Sequence, residues 1–388
     1  MEEIAVFKAI FEILPFLFCA ILMFSFVRCV CRGVRAQAVW AMALVACASK
    51  FVFFEVLGGD AFAPELTEGV ILAWGWAYSG MCLLLALSLA WHLLRFATFG
   101  RFPRLRGVFC AVALPAVAWT IAAVGVWNGA KPPEVNEVVI TSENMPEQLD
   151  GYRIVQLSDL HISAAAPRHR TEAIVKAANA ARPDLICITG DIVDGMPSAQ
   201  AKNVLPLKDL KANDGVYAVT GNHEFYFDYY GWMSLYYDMG LRFLSNKCVF
   251  PRPGLALGGV DDPVRTRVLM EPPDSAKAFA SATNGEFRIF MQHRPWFDYP
   301  RYFGFDDDTP RDLQLSGHTH GGIAPVLSSL IAKFNNGFVR GLYKSDGHIR
   351  NLYVSPGAGQ WGGFPVRLFN DAEITLFILR RAQSGAEP

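Results

Sequence analysis

The sequence predicts a two-part chain: about four membrane-spanning helices in residues 1–130, followed by a soluble α/β-sheet domain in residues 131–388. Three observations predict it. Four apolar stretches in the first part each approach the ~20 residues needed to cross a hydrocarbon core. The composition changes near residue 130, from Ala, Leu, Val, Phe and Trp to a mixed, charge-bearing sequence. The second part holds short β-branched runs, each ending in a cluster of Gly, Asp, Asn or His.

The apolar stretches run over about 9–27, 38–57, 70–94 and 107–127. They explain why 52% of the chain is hydrophobic and only 18% charged. Acidic Glu2 and Glu3 precede the first stretch where a cleaved signal peptide would carry basic residues. Arg28, Arg32 and Arg35 fill the first connection and Arg95, Arg101, Arg104 and Arg106 the third, whereas Gly58 to Gly69 has neither Lys nor Arg. The positive-inside rule puts the first and third loops in the cytoplasm. With four crossings, the chain is a multi-pass protein of the cell (inner) membrane whose C-terminal domain lies on the extracytoplasmic side. Lys50 lies inside the second stretch, and Glu55 or Glu12 is its expected ion-pair partner.

A net charge of −1 offers no basic surface for nucleic acid, which excludes that partner class. Six of the eight cysteines lie in the apolar part, so no disulfide framework is implied. Composition does not address oligomeric state.

In the second part, 154–159, 185–191, 215–222, 287–293 and 313–318 read as buried strands, and 171–182 as a helix ended by Pro183. Ligands of such sheets bind beyond the carboxyl ends of the strands. There the sequence places Asp159 and His161, Asp191 and Asp194, Asn222 and His223, His293, and His318 and His320, which include five of the chain's eight histidines. On an extended strand end, residues i and i+2 point to one face, so Asp-x-His and His-x-His pairs can each hold an ion. Oxygen and imidazole donors without thiolate suit two divalent ions such as Mn, Fe or Zn, and one carboxylate such as Asp191 can bridge them. Aromatic residues crowd 225–237, either as an apolar ledge or as a packed helix.

The ordered set Asp159-Leu-His161, Gly190-Asp191-Ile-Val-Asp194, Gly221-Asn222-His223-Glu224, His293 and Gly317-His318-Thr-His320 resembles the calcineurin-like metallophosphoesterases. The tail motifs Leu352-Tyr-Val-Ser-Pro-Gly-Ala-Gly359 and Pro365-Val-Arg367 resemble the end of their membrane-associated bacterial branch. The resemblance covers about 137–380 and implies a four-layer α/β/β/α sandwich. It also implies that Asp159, His161, Asp191 and His320 hold one metal, and Asp191, Asn222, His293 and His318 the second. By the same resemblance His223 faces the substrate and Asp194 orients its ring. The chain departs from the branch at Ile323 and Arg294, where Gln is common. Arg294 is a candidate for binding a phosphate oxygen.

The expected function is that of a membrane-anchored, dinuclear-metal phosphoesterase. It would cleave phosphate mono- or diesters, and a lipid or envelope phosphate is a candidate substrate. The alternative is a non-catalytic membrane sensor or scaffold that retains the fold, against which the complete ligand set argues.

Overall fold

The computed structural model describes residues 2–101, 104–105, 107–143, 145–264, 271–295, 309–322 and 324–382; Arg106 and Ile323 lie outside the described residues. The chain forms two compact units. One comprises Met1–Ala130 with Gly362–Val366, and the other Lys131–Trp361 with Arg367–Pro388.

The helical unit contains α1 (Glu2–Leu22), α2 (Val34–Ala48), α3 (Lys50–Gly58), α4 (Glu68–Ala97) and α5 (Gly107–Ala130). Three helical runs, Lys8–Val30, Glu68–Ala97 and Cys110–Ala130, are long and apolar enough to cross a membrane. The second predicted stretch is different: α2 and α3 meet at a 52° bend, so the number of candidate spans is three, or four if the bent pair is one. At the break the Ser49 hydroxyl donates to the Ala46 carbonyl at 2.8 Å, and serine bonding back to its own helix favours a bend. Leu22, Phe26, Leu44, Phe51, Met81 and Leu84 form the core of this unit. Phe24, Met42, Leu93 and Trp127 point outward, as lipid-facing residues do.

Lys50 pairs with neither Glu55 nor Glu12. Its ammonium donates to the Gly363 carbonyl and lies 4.4–5.4 Å from the ring centroids of Phe51, Phe54, Tyr78 and Phe364. Lys8 takes Glu55 instead, at 3.2 Å, together with Asp60 at 3.0 Å. The aromatic-lined position arises because Gly362–Val366, remote in sequence, packs among the helices.

The second unit is built on two six-stranded sheets. The first runs β1 (Glu134–Ser142), β12 (Glu373–Arg381), β2 (Arg153–Leu157), β3 (Leu185–Thr189), β4 (Val216–Val219), β5 (Arg242–Phe243). The other runs β10 (Gly341–Lys344), β11 (Asn351–Val354), β9 (Leu313–Ser316), β8 (Phe287–Met291), β7 (Leu255–Gly259), β6 (Lys247–Arg252). β2, β3 and β4 pair in parallel, as do β7, β8 and β9, so each sheet delivers three strand ends to one edge.

Strand alternation builds the layers. Ile154, Leu185 and Val219 meet Leu257, Ile289 and Leu315 between the sheets. Val155, Ile186 and Ile188 face α6 (Arg168–Ala180), α7 (Pro197–Val204) and α8 (Tyr229–Asp238) through Ile174, Ala178, Val204, Trp232 and Tyr236. On the far side of the second sheet, Ala256 and Phe290 pack on Ala278 and Phe279. The result is the α/β/β/α order. The aromatic segment is largely a packed helix, since Trp232 and Tyr236 are fully buried, while Tyr230 and Tyr237 are exposed.

Candidate metal centre

Every predicted ligand lies just past the end of β2, β3, β4, β8 or β9. The backbone brings the side chains together by a route that strand alternation does not predict. Asp159, His161, Asp191, His318 and His320 all have positive φ, between 42° and 73°, and are five of the ten such non-glycine residues among those described. The pairs therefore converge through left-handed turns and not through the pleat of an extended strand. Such conformations are costly for residues with a Cβ and persist where surrounding structure imposes them, most often at functional sites. Close approach completes the geometry: a Cβ on Gly221 would lie 2.1 Å from Asp191 Oδ1, and one on Gly317 would lie 2.2 Å from Asp159 Oδ2.

Two donor sets hold predicted ligands: Asp159, His161 and His320 present ligand atoms within 4.8 Å of one another, as do Asp191, His293 and His318. A third trio, His161, Asp194 and His223, meets the same condition. Asp191 stands between the sets, its Oδ2 3.1 Å from His293 Nε2 and 3.8 Å from His161 Nε2. His161 Nε2 lies 3.1 Å from His320 Nε2, and His318 Nδ1 lies 3.2 Å from His293 Nε2. Hydrogen bonds fix the tautomers that aim these nitrogens. His293 Nδ1 donates to the Thr189 carbonyl at 2.8 Å, which turns Nε2 toward Asp191. His161 Nδ1 lies 3.0 Å from Asp194 Oδ1, which frees its own Nε2 in the same way.

The electrostatics show what the cluster is suited to hold. Burial holds the His318 and His320 imidazoles well below their ordinary range, with further lowering from Arg294 and His293 at the first and from His161 at the second, so both are neutral. Burial opposes a charge on His293, yet Asp191 beside it lifts the imidazole to about 10. Burial raises Asp159, whereas Asp191 is held well below the carboxylate range by His293 and its neighbours despite burial. Asn222 Oδ1 is buried and has no hydrogen-bond partner among the described residues. A buried array of carboxylates, imidazole lone pairs and an orphaned amide oxygen requires positive charge among them, and oxygen- and nitrogen-binding divalent cations fit it.

The same centre holds an imidazole outside the two sets. His223 Nδ1 lies 2.5 Å from Asp194 Oδ1, and its backbone N–H donates to Asp191 Oδ1 at 2.9 Å. Asp194 therefore orients two rings at once, those of His161 and His223. Burial works against a charge on His223, but Asp191 and Asp194 raise it to about 9. Tyr226 and Trp361 flank this ring, with centroids at 5.2 Å and 5.9 Å.

Several contributors were not legible in the sequence. The Glu224 carboxylate is fully buried and accepts from the backbone N–H groups of Gly221 at 2.7 Å, Ile192 at 2.6 Å and Asp191 at 3.1 Å, tying the β3 and β4 turns together. Its presence in the Gly-Asn-His-Glu string was the available signal. Arg294 sits at the rim, where Asp262 grips its fork, with Nε to Oδ2 at 2.6 Å and Nη2 to Oδ1 at 3.3 Å. Asp262, in an Asp-Asp pair after β7, carried no sequence signal. Arg367 donates to the carbonyls of Pro356, Gly357 and Gly359 and so fixes the loop that passes under Asp159.

Comparison with known proteins agrees with this geometry. A family model described as calcineurin-like phosphoesterase matches residues 152–322. A protein of Danio rerio named transmembrane protein with metallophosphoesterase domain is 35% identical over 71% of this chain and 64% of its own length. Its Bos taurus namesake is 32% identical over 78% of this chain and 70% of its own. An uncharacterized metallophosphoesterase of Helicobacter pylori is 32% identical over 66% of each chain. The chain thus spans about two thirds of the length of these relatives.

Proposed function

Those identities place the chain in the calcineurin-like phosphoesterase family, and on that premise we propose that it is a membrane-anchored, two-metal phosphoesterase. The observation that carries the reading is Asp191 standing between two buried Asp/His sets. Asp159, His161, Asp191 and His320 would hold one ion, and Asp191, Asn222, His293 and His318 the other. Two divalent cations there would supply Lewis acidity toward a phosphate ester and lower the pKa of a water at the site.

The chain's own residues do the rest. Asp194 accepts from Nδ1 of His223 and keeps the imidazolium charged, so the proton at Nε2 is available to a leaving oxygen. Glu224 holds the β3 and β4 turns, and with them Asp191 and Asn222, in register. Asp262 keeps the Arg294 guanidinium at the rim of the site, and this placement makes Arg294 the candidate to bind a phosphate oxygen. Residues 1–130 act as the anchor and 131–388 as the hydrolase, and anchoring favours a lipid or envelope phosphate as substrate.

The test is turnover by the purified full-length chain after loading with Mn, Fe or Zn, on p-nitrophenyl phosphate, bis(p-nitrophenyl) phosphate and phospholipids. A preparation holding two equivalents of metal and hydrolysing none of them would overturn the reading. The extracytoplasmic placement depends on the bent pair α2–α3 being one complete span, because three crossings would invert the hydrolase. A reporter active only outside the cytoplasm, fused after Pro388, decides between the two.

A further inference from the structure

The helix that follows the metal-ligand turn, α9 (Pro325–Phe334), is turned the opposite way from what its sequence suggests. A helix with Leu327, Leu330, Ile331 and Phe334 would ordinarily bury its leucines. Instead the small Ser328 packs beside Gly322, and buried Asn335 donates to the Ile331 carbonyl. Leu327, Leu330 and Phe334, at i, i+3 and i+7, form one outward stripe, with Phe334 74% exposed.

A second apolar projection is fastened to the same turn. Phe369 is 80% exposed and has a φ of 59°, a conformation that a bulky residue rarely adopts. Its neighbours hold it there: Arg340 donates to Asn370 Oδ1 at 3.0 Å, and Asn370 Nδ2 donates to the His320 carbonyl. Charge completes the pattern. Residues 324–344 contain Lys333, Arg340 and Lys344 and no Asp or Glu, all three cations are exposed, and the acid of the Phe369 turn, Asp371, is paired with Lys131 at 3.0 Å.

We propose that this face, formed by α9 and the Phe369 turn, docks on an anionic lipid bilayer. An outward apolar stripe with basic residues beside it is the pattern of helices that lie in the membrane interface, with cations at the headgroups and rings among the acyl chains. The bilayer is also the partner at the highest effective concentration, since the same chain carries helices apolar enough to cross it. The docked face is continuous with His320 through Asn370 and with the Thr319 hydroxyl, which donates to the Val339 carbonyl. Docking would therefore hold the metal centre at the lipid surface, and it does not depend on the substrate being a lipid.

The test uses the full chain in phosphatidylcholine vesicles doped with phosphatidylglycerol, with a photo-cross-linking benzophenone side chain placed in turn at positions 330, 334 and 369. Exposed Lys208 serves as the control position. Lipid adducts are expected at the three sites and not at 208, with yields falling when phosphatidylglycerol is omitted. The double variant Leu330→Glu, Phe334→Glu should lose the adduct at 369 while keeping its metal content and its turnover of soluble bis(p-nitrophenyl) phosphate. Adduct yields equal to the control, or cross-links to a second copy of the chain, would overturn the proposal. Loss of soluble turnover in every form would count against the phosphoesterase reading and leave the docking result standing.

Discussion

The candidate metal centre and the surroundings of Lys50 both bury ionisable groups at or near zero exposure, yet they manage the cost differently. In the metal centre, carboxylates and imidazoles answer one another within hydrogen-bond reach, and backbone N–H groups satisfy Asp191 and Glu224. Around Lys50, four aromatic rings and one carbonyl surround the cation, and among the described residues no carboxylate takes part. The first arrangement is a network in which each member depends on the others, and removing one leaves uncompensated charge. The second is a local solvation shell, and an apolar side chain can replace its occupant.

The largest test of this contrast is Asp191→Ala, which removes the carboxylate facing both donor sets. We expect the variant to lose both metals and all turnover. Elemental analysis checks it, and two retained equivalents would falsify the bridging role.

His223→Ala should separate orientation from metal binding. Metals are expected to stay, with kcat lower by ~10²–10⁴ for poor leaving groups and least affected for an activated aryl ester. Leaving-group pKa is the variable to scan. Losses that do not vary across the series would take His223 out of the acid role.

Glu224→Gln is smaller. One amide oxygen can replace one carboxylate oxygen, but the amide nitrogen then faces a backbone N–H it cannot accept from, so ~1–3 kcal/mol of stability should be lost. Denaturant unfolding in detergent measures it. An unchanged midpoint would mean that the β3 and β4 turns hold themselves.

These residues also mark what the sequence could and could not reveal. The candidate ligands were legible because each follows a short apolar strand, most of them in local pairs such as Asp159 and His161 or His318 and His320, so short-range spacing carries the signal. Five of the strands, β2, β3, β4, β8 and β9, were legible for the same reason, whereas β7, the third parallel strand of the second sheet, ends in two glycines with no ligand after them and was not. The partner of Arg294 is 32 residues away, and β1 pairs with β12 across most of the second unit, so neither leaves a periodic trace. The pleat of an extended strand does not describe Asp159 and His161, because left-handed turns are a property of the assembled site and not of local preference. The same limit applied to Lys50: Gly363 is 313 residues distant, and the nearby acids drew the expected pairing to themselves.

Lys50 supplies the smallest expected effect and the one that tests the comparison most directly. If its position is only a solvation shell, Lys50→Met keeps a side chain of similar length, leaves four rings packed on an apolar thioether and frees one carbonyl. Removing the cation–π attraction costs ~0.5–2 kcal/mol. Removing a buried ammonium offsets that cost, as when buried ions are replaced by apolar residues of similar volume. The apparent thermal midpoint of the full chain in one detergent should therefore stay close to that of the parent. Lys50→Glu reverses the charge against the π faces and the Gly363 carbonyl and should lower it clearly. A Met variant as damaged as the Glu variant would mean that Lys50 belongs to a charge network like that of the metal centre, and the two regions would then no longer differ in kind.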